Sequence, residues 1–380
     1  MSICLLFLRL GVTAFGGPAA HIALMEDEFV VRRNWLSRDE FVDLLGAANF
    51  IPGPSSTELA MHIGFKQAGL PGLFLAGLCF ILPAALMVSL LAFVYARLGH
   101  FARAQSIMYE LKPVVIAIIL KALWGLKDAA WKSLSLRCLA ALSALLYYFG
   151  LGQMFVLFFA GIVFMSAKFW HKRREAGELR ALSLLILLSA LLVAWSLILS
   201  SMVAPAMPYS LWALFLYFLK IGSVIYGSGY VLLAFLRADL VTHYHWISST
   251  QLLDAVAAGQ ITPGPVFTTA TFIGFLLGSW SGALVASLAI FMPSFLLVAL
   301  SARLLDTFRS TNTARAFIDG ISSAAVALIA VVLAELAQAA LIDIWTVCVA
   351  LTSFVLLQTR KVSPILLILS AGIIGFFRHI

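Results

Sequence analysis

Charge is scarce in this chain. Lysine and arginine number 25 and aspartate and glutamate 17 among 380 residues, so only 11% of the sequence is charged, too little to cover a soluble domain of this size. Cysteine is scarcer still: Cys4, Cys79, Cys138 and Cys348 stand singly, without the C-x-x-C or Cys/His spacing of a metal site or the density of a disulfide framework. They read as small packing residues. No Walker motif, haem-attachment motif or flavin fingerprint occurs, which argues against direct ATP driving and against a redox enzyme. The His/Glu/Asp constellation of a membrane hydrolase is missing too, so no cofactor, metal or catalytic residue is expected. The stretch from Glu26 to Arg38 mixes both charge signs and lacks a basic face with stacking aromatics. It reads as an interfacial segment, and nucleic acid is not an expected partner.

What the chain has in excess is apolar sequence: 63% of residues are hydrophobic and the mean hydropathy is +1.04. The runs are long enough for helical spans, and the two-residue alternation of a membrane β-barrel is absent. The expected fold is an all-α polytopic membrane protein. Thirteen spans are predicted, near 3 to 24, 40 to 65, 73 to 96, 111 to 128, 134 to 150, 151 to 167, 181 to 203, 209 to 236, 251 to 277, 281 to 302, 316 to 340, 341 to 357 and 363 to 378. The apolar N-terminus has no charged leader region or small-residue cleavage site, and reads as a retained first span.

The chain also repeats itself. Phe7-Leu8-Arg9-Leu10-Gly11 returns as Phe218-Leu219-Lys220-Ile221-Gly222, and Trp35, Asp43 and Pro52-Gly53-Pro54 return as Trp246, Asp254 and Pro263-Gly264-Pro265, all about 211 residues on. Residues 1–167 form one transmembrane repeat, 168–208 a basic loop with a linking span, and 209–380 the second repeat. Six spans and one linker separate equivalent points, an odd number, so the second copy is expected upside down. With the N-terminus inside, fifteen loop cations fall on the cytoplasmic side and six outside, Arg32, Arg33 and Arg38 among the latter. The net charge of +8 thus reports orientation: N-terminus cytoplasmic, C-terminus out.

Two prolines around a glycine cannot sit in an unbroken helix. Asn49-Phe50-Ile51-Pro52-Gly53-Pro54-Ser55-Ser56-Thr57-Glu58 and Gln260-Ile261-Thr262-Pro263-Gly264-Pro265-Val266-Phe267-Thr268-Thr269 are each expected to split into half-helices near mid-membrane, whether they span or re-enter. Irregular backbone at that depth lines a cavity or is buried in protein. A half-helix start offers free N–H groups and a positive dipole end. With Ser55, Ser56, Thr57, Thr268 and Thr269 supplying hydroxyls, and Asn49, Gln260 and Thr262 beside them, the pair makes a cradle suited to a small tetrahedral oxyanion.

Gly16-Gly17 and Gly227 mark a second pair of helix breaks, which expose further N–H groups or permit close packing. Arg9 and Lys220 stand at equivalent intramembrane positions and would add positive potential, unless Arg9 snorkels to the interface. Lys112 reads as a rim residue. Ser37 with Glu40, and Ser248 with Gln251, have capping-box spacing. Four acids lie in apolar runs: Asp43, Glu58, Asp254 and Glu335. Glu58 would repel an anion at the first cradle unless protonated or paired, which makes it a candidate for coupling proton occupancy to anion affinity, or else half of a static salt bridge. Its counterpart in the repeat is Thr269. His21 is a second candidate for coupling.

Taken in order, Phe15-Gly16-Gly17-Pro18 with His21, the Glu28 to Trp35 stretch, Pro52-Gly53-Pro54, Ile81-Leu82-Pro83, Tyr226-Gly227-Ser228-Gly229-Tyr230-Val231, Thr262-Pro263-Gly264-Pro265-Val266-Phe267-Thr268-Thr269 and Phe291-Met292-Pro293 resemble the chromate ion transporter family, in its long-chain form with two fused homologous halves. The resemblance implies an inner-membrane exporter that removes chromate, is driven by an ion gradient and confers chromate resistance, with sulfate as the competing look-alike. Its partners would be a chromate or sulfate oxyanion and the lipid bilayer, with a homodimer left open. A sulfate or other oxyanion carrier and an uncoupled anion channel are the alternatives.

Overall fold

The computed structural model describes residues 3–15, 17–98, 101–171, 209–226, 229–301, 312–359 and 362–378. Among them every regular element is helical. In chain order these are α1 Ile3–Thr13, α2 Pro18–Glu26, α3 Arg38–Phe50, α4 Ser55–Leu98, α5 Ala102–Trp131, α6 Leu134–Tyr148 and α7 Gln153–His171. They are followed by α8 Leu211–Val224, α9 Val231–Phe235, α10 Ser249–Ile261, α11 Thr269–Ser301, α12 Asn312–Ala340, α13 Ile344–Gln358 and α14 Pro364–Phe377. Two π-helical stretches, Asp27–Arg32 and Leu236–His243, continue α2 and α9, and a 3-10 turn, Val266–Thr268, leads into α11. Ser55–Leu98, Val266–Ser301 and Arg315–Ala340 are long and apolar enough to cross a membrane, and six shorter apolar helices accompany them. The chain is a multi-pass membrane protein.

Four of the thirteen expected spans are hairpins instead. In the run 3 to 24, α1 and the segment after it lie side by side, with the Phe7 and Phe29 rings 5.2 Å apart. In the run 209 to 236 the same reversal brings Tyr217 within 6.3 Å of Trp246. Glu40, at the start of α3, is ion-paired with Lys66, which is possible only if the chain turns back at Pro52-Gly53-Pro54. Gly259 likewise faces Thr269 across the second Pro-Gly-Pro. A helix of 13 residues such as α3 reaches about 20 Å, short of a hydrocarbon core of about 30 Å. In the runs 40 to 65 and 251 to 277 the Pro-Gly-Pro tips turn the chain back. Hydropathy alone cannot distinguish a run that crosses from one that returns within the same apolar surroundings. The expected linking span at 181 to 203 lies outside the described residues.

After each Pro-Gly-Pro hairpin the chain reverses once more, at Ala68-Gly69 inside α4 and at Gly278-Ser279 inside α11. The backbones of Gly64 and Gly72, and of Gly274 and Gly282, meet across these reversals. The long remaining segments, 70–98 and 280–301, carry Pro83 and Pro293.

The repeat extends to single backbone angles. Asn34 and His245, 211 residues apart, close the two π segments with φ of 52° and 53°. Both capping boxes form, Ser37 with Glu40 and Ser248 with Gln251. Beyond the Pro-Gly-Pro turns the offset falls by one, to 210 between Gly69 and Ser279. The 3-10 turn accounts for the missing residue, because three residues rising about 2.0 Å each cover the length of four α-helical ones at about 1.5 Å. The counterpart of Glu58 therefore falls at Thr268 or Thr269.

The halves interlock. α4 and α11 pack on one another at the centre, each flanked by the first helix of its own half, α1 and α8. Outside them the partners are exchanged: α5 packs on α12, α13 and α14, while α12 packs on α6 and α7. One apolar cluster accordingly runs through residues of both halves.

Candidate functional site

The two Pro-Gly-Pro tips are held by reciprocal bonds between the halves. The Gly53 N–H donates to the Ile225 carbonyl at 2.7 Å, and the Gly264 N–H to the Ala14 carbonyl at 2.9 Å. Both residues of the second pair are equivalents of the first at the 211-residue offset, the pattern of a two-fold contact. Each acceptor sits where a first helix breaks, so each glycine tip uses a carbonyl which that break leaves free.

Glycine is required at both tips. Gly53 has φ of 142° and Gly264 of 94°, values unfavourable for other residues. A Cβ on Gly53 would lie 2.2 Å from both Glu58 Oε1 and Ser294 Oγ; one on Gly264 would lie 2.7 Å from the Ala84 Cβ. Ala84 and Ser294 are themselves equivalent, 210 residues apart. The two tips thus share a backbone and differ in chemistry: Glu58 and Ser294 at one, threonine and Ala84 at the other.

Glu58 is fully buried. Ser294 donates to its Oε1 at 3.0 Å, and Oε2 has no hydrogen-bond partner. Thr57 Oγ1, Thr269 Oγ1 and Gln260 Nε2 are buried and unpaired as well. Four orphan polar atoms therefore flank the two tips among the described residues, and such groups are costly to bury without a partner. They include donors on Thr57, Thr269 and Gln260, which suit an anion. Gln260 Oε1 accepts a long bond from the Tyr230 hydroxyl at 3.4 Å.

The remaining expected residues divide. Thr262 donates to the Ala258 carbonyl at 3.1 Å and Thr268 to the Pro265 carbonyl at 2.9 Å, so their protons are engaged within their own turns. Ser56 bonds His21 Nδ1 at 3.1 Å, and His21 Nε2 lies 3.0 Å from the Ala14 carbonyl. A carbonyl only accepts, so Nε2 carries the proton in that bond. Ala14 thereby joins His21 of one half to Gly264 of the other. Asn49 and Arg9 are exposed. Lys220 lies 3.8 Å from Asp239, a carboxylate that also accepts from Gln153 at 3.1 Å and offsets its charge. Gly16 and Gly227 lie outside the described residues, while Gly17 caps α2. The fourth intramembrane acid, Glu335, is paired with Arg237 at 3.0 Å.

A sequence model of the family described as Chromate transporter matches residues 1–204 and 212–376. The chain belongs to the chromate transporter family. It is 32% identical to the chromate transport protein of Cupriavidus metallidurans over 98% of this chain and 92% of that one. The probable chromate transport protein of Synechococcus elongatus is 29% identical over 96% and 92%. The chromate transport protein of Pseudomonas aeruginosa is 27% identical over 97% and 90%. No solved structure matches. In this member of the chromate transporter family, the structure adds residues that the sequence reading passed over: Ser294, and the carbonyls of Ala14 and Ile225. The available signal for Ser294 was a serine directly after Pro293 in an otherwise apolar run, at the position of Ala84 in the other half.

Proposed function

We propose that the chain exports chromate, a tetrahedral dianion, across the inner membrane by secondary transport, and so confers resistance to it. The observation that carries the reading is the group of four orphan polar atoms on Thr57, Glu58, Gln260 and Thr269, set beside two glycine tips that bind one another's halves reciprocally. The names of the aligned relatives supply the oxyanion. The anion would sit against the starts of α4 and the 3-10 turn, where backbone N–H groups and the helix dipole favour negative charge. Arg9 and Lys220 would contribute positive potential from further off. Glu58 gives the coupling: an ionised carboxylate at this site repels a dianion, whereas a proton on its orphan Oε2 removes the repulsion. His21, bonded to Ser56, is the second titratable group at the same tip.

The halves are inverted repeats in this reading. Treating the four hairpins as re-entrant removes two crossings from each half and leaves the separation of equivalent points odd, so the tips meet from opposite faces. The charge distribution supports the same orientation. Arg32, Arg33 and Arg38 move to the side of the N-terminus and Arg237 leaves it, which turns fifteen loop cations against six into seventeen against four, favouring a cytoplasmic N-terminus.

Uptake of labelled chromate into proteoliposomes, with and without an imposed pH gradient and with sulfate as competitor, tests the proposal. Saturable, gradient-dependent movement is the expected result. Movement that neither saturates nor responds to the gradient would identify an anion channel. Carriage of sulfate with chromate acting only as a blocker would reassign the substrate, since the two ions share charge and shape.

A further inference from the structure

The two halves repeat one another in backbone but not in packing. Helix α10 is buried along its length from Leu252 to Gln260 and packs on α5, α12 and α14 as well as on α11. Its equivalent α3 packs chiefly on α4 and leaves Val42, Asp43 and Asn49 exposed. A Cβ on Gly46 would meet nothing within 4 Å, whereas the equivalent Ala257 is 3% exposed. An exposed helical face that carries an aspartate and an asparagine within an apolar chain is suited to water and ill suited to lipid.

Beyond the tips, the aspartates of the second half's hairpins are bonded across the halves. Asp254 on α10 accepts from the Tyr95 hydroxyl at 2.8 Å and lies 3.9 Å from Lys112 Nζ, and both partners belong to the first half. Asp239, in the π segment before α10, is held by Gln153, again of the first half. In the first half, Glu28, equivalent to Asp239, is bonded instead by its neighbour Arg33 at 2.7 Å. The residue equivalent to Lys112 is Ser322, which carries no charge.

We infer that the two hairpins of the second half form a closed gate and those of the first half an open one, and that Asp254, Lys112 and Tyr95 are the latch that holds the closed gate. The transport cycle exchanges the two arrangements: α10 leaves α5 as α3 closes onto α12. Because Ser322 stands where Lys112 would be needed, the exchanged state lacks the ion pair, and the state described here is the resting one. This inference rests on the alternating-access transporter proposed above. With the N-terminus cytoplasmic, the open gate faces the cytoplasm, the side from which an exporter loads.

The test uses the full chain with its four native cysteines replaced, carrying either Gly46→Cys or Ala257→Cys, in sealed vesicles of known orientation. A membrane-impermeant maleimide is the probe. Position 46 is expected to label from the face of the N-terminus, and position 257 to be protected. Adding Asp254→Asn or Lys112→Met should raise labelling at 257 and lower it at 46, shifting their ratio roughly fivefold or more, and the charge exchange Asp254→Lys with Lys112→Asp should restore the parental pattern. Protection of position 46 in the parent would overturn the inference, its face then being covered by lipid or protein. An unchanged ratio in both latch variants would overturn it as well. Labelling needs no substrate, so a chain that fails to carry chromate but shows this pattern would refute the substrate and leave the gate standing.

Discussion

Gly53 and Ile225 are joined by a 2.7 Å backbone hydrogen bond that ties the first Pro-Gly-Pro tip to the broken first helix of the other half. A substitution that moves this tip disturbs both halves together. Gly53→Ala places a methyl against Glu58 and Ser294, and is expected to abolish transport while lowering stability by about 1–3 kcal/mol. Gly264→Ala clashes with Ala84 and with no titratable group, so its loss of stability should be similar and its effect on proton coupling smaller. Thermal unfolding in detergent and proteoliposome uptake, measured on both variants, separate the two effects.

Pro52→Leu combined with Pro263→Leu restores a backbone donor on each side of the molecule and relieves the steric block to helix at both tips. The double variant is expected to reach the membrane and to carry no chromate. Membrane fractionation checks the first outcome and proteoliposome uptake the second; unimpaired uptake would remove the tips from the binding site.

Much of this was legible in the sequence, for identifiable reasons. The repeat, the helix class, both capping boxes and both Pro-Gly-Pro breaks depend on local chemistry, and local chemistry is written in residue order. The reversals were not legible. The run 40 to 65 has the same hydropathy whether it crosses or returns, and contacts distant in sequence, such as the pairing of Glu40 with Lys66, distinguish the two. Ser294 was likewise hidden, because its partner Glu58 is 236 positions away and no periodicity links them. Lys112, read as a rim residue, faces Asp254 at 3.9 Å because the halves exchange partners.

Glu58→Gln keeps the shape of the side chain and removes its ability to ionise. Chromate movement in this variant is expected to lose its response to an imposed pH gradient while folding is maintained. Ser294→Ala removes the bond to Oε1 and leaves the carboxyl, so the gradient response should persist with a changed apparent affinity. Uptake measured across a series of external pH values tests both; a Glu58→Gln profile identical to the parent's would exclude the residue from coupling.

Glu40 gives a pH dependence of a different kind, at the rim. The hydrogen bond from Lys66, with the Ser37 cap behind it, lowers its pKa from 4.5 to about 2. A depressed carboxylate stabilises the fold above its unfolded pKa, and that contribution is lost as pH falls through the folded value. The parent should therefore melt above Glu40→Gln at neutral pH, and the gap between their melting temperatures should narrow from pH 4.5 down towards about 2. A gap that stays constant over this range would mean that the Lys66 bond is not maintained in solution.

The last prediction concerns the clasp that closes the exchanged packing. Glu110 on α5 is 1% exposed and accepts from Arg378 at 2.5 Å and from the Trp345 ring nitrogen at 2.9 Å. The Arg378 guanidinium also lies over the Trp345 ring, 4.7 Å from its centre. Removing the cation leaves a buried carboxylate with only a neutral donor; because the arginine is itself 36% exposed, Arg378→Ala should cost about 2 kcal/mol, less than breaking a fully buried pair. Glu110→Gln with Arg378→Ala removes the stranded charge and should recover part of that loss. If the double variant melts no higher than Arg378→Ala alone, the destabilisation comes from lost packing of the arginine on Trp345 and Tyr109 and not from the stranded carboxylate.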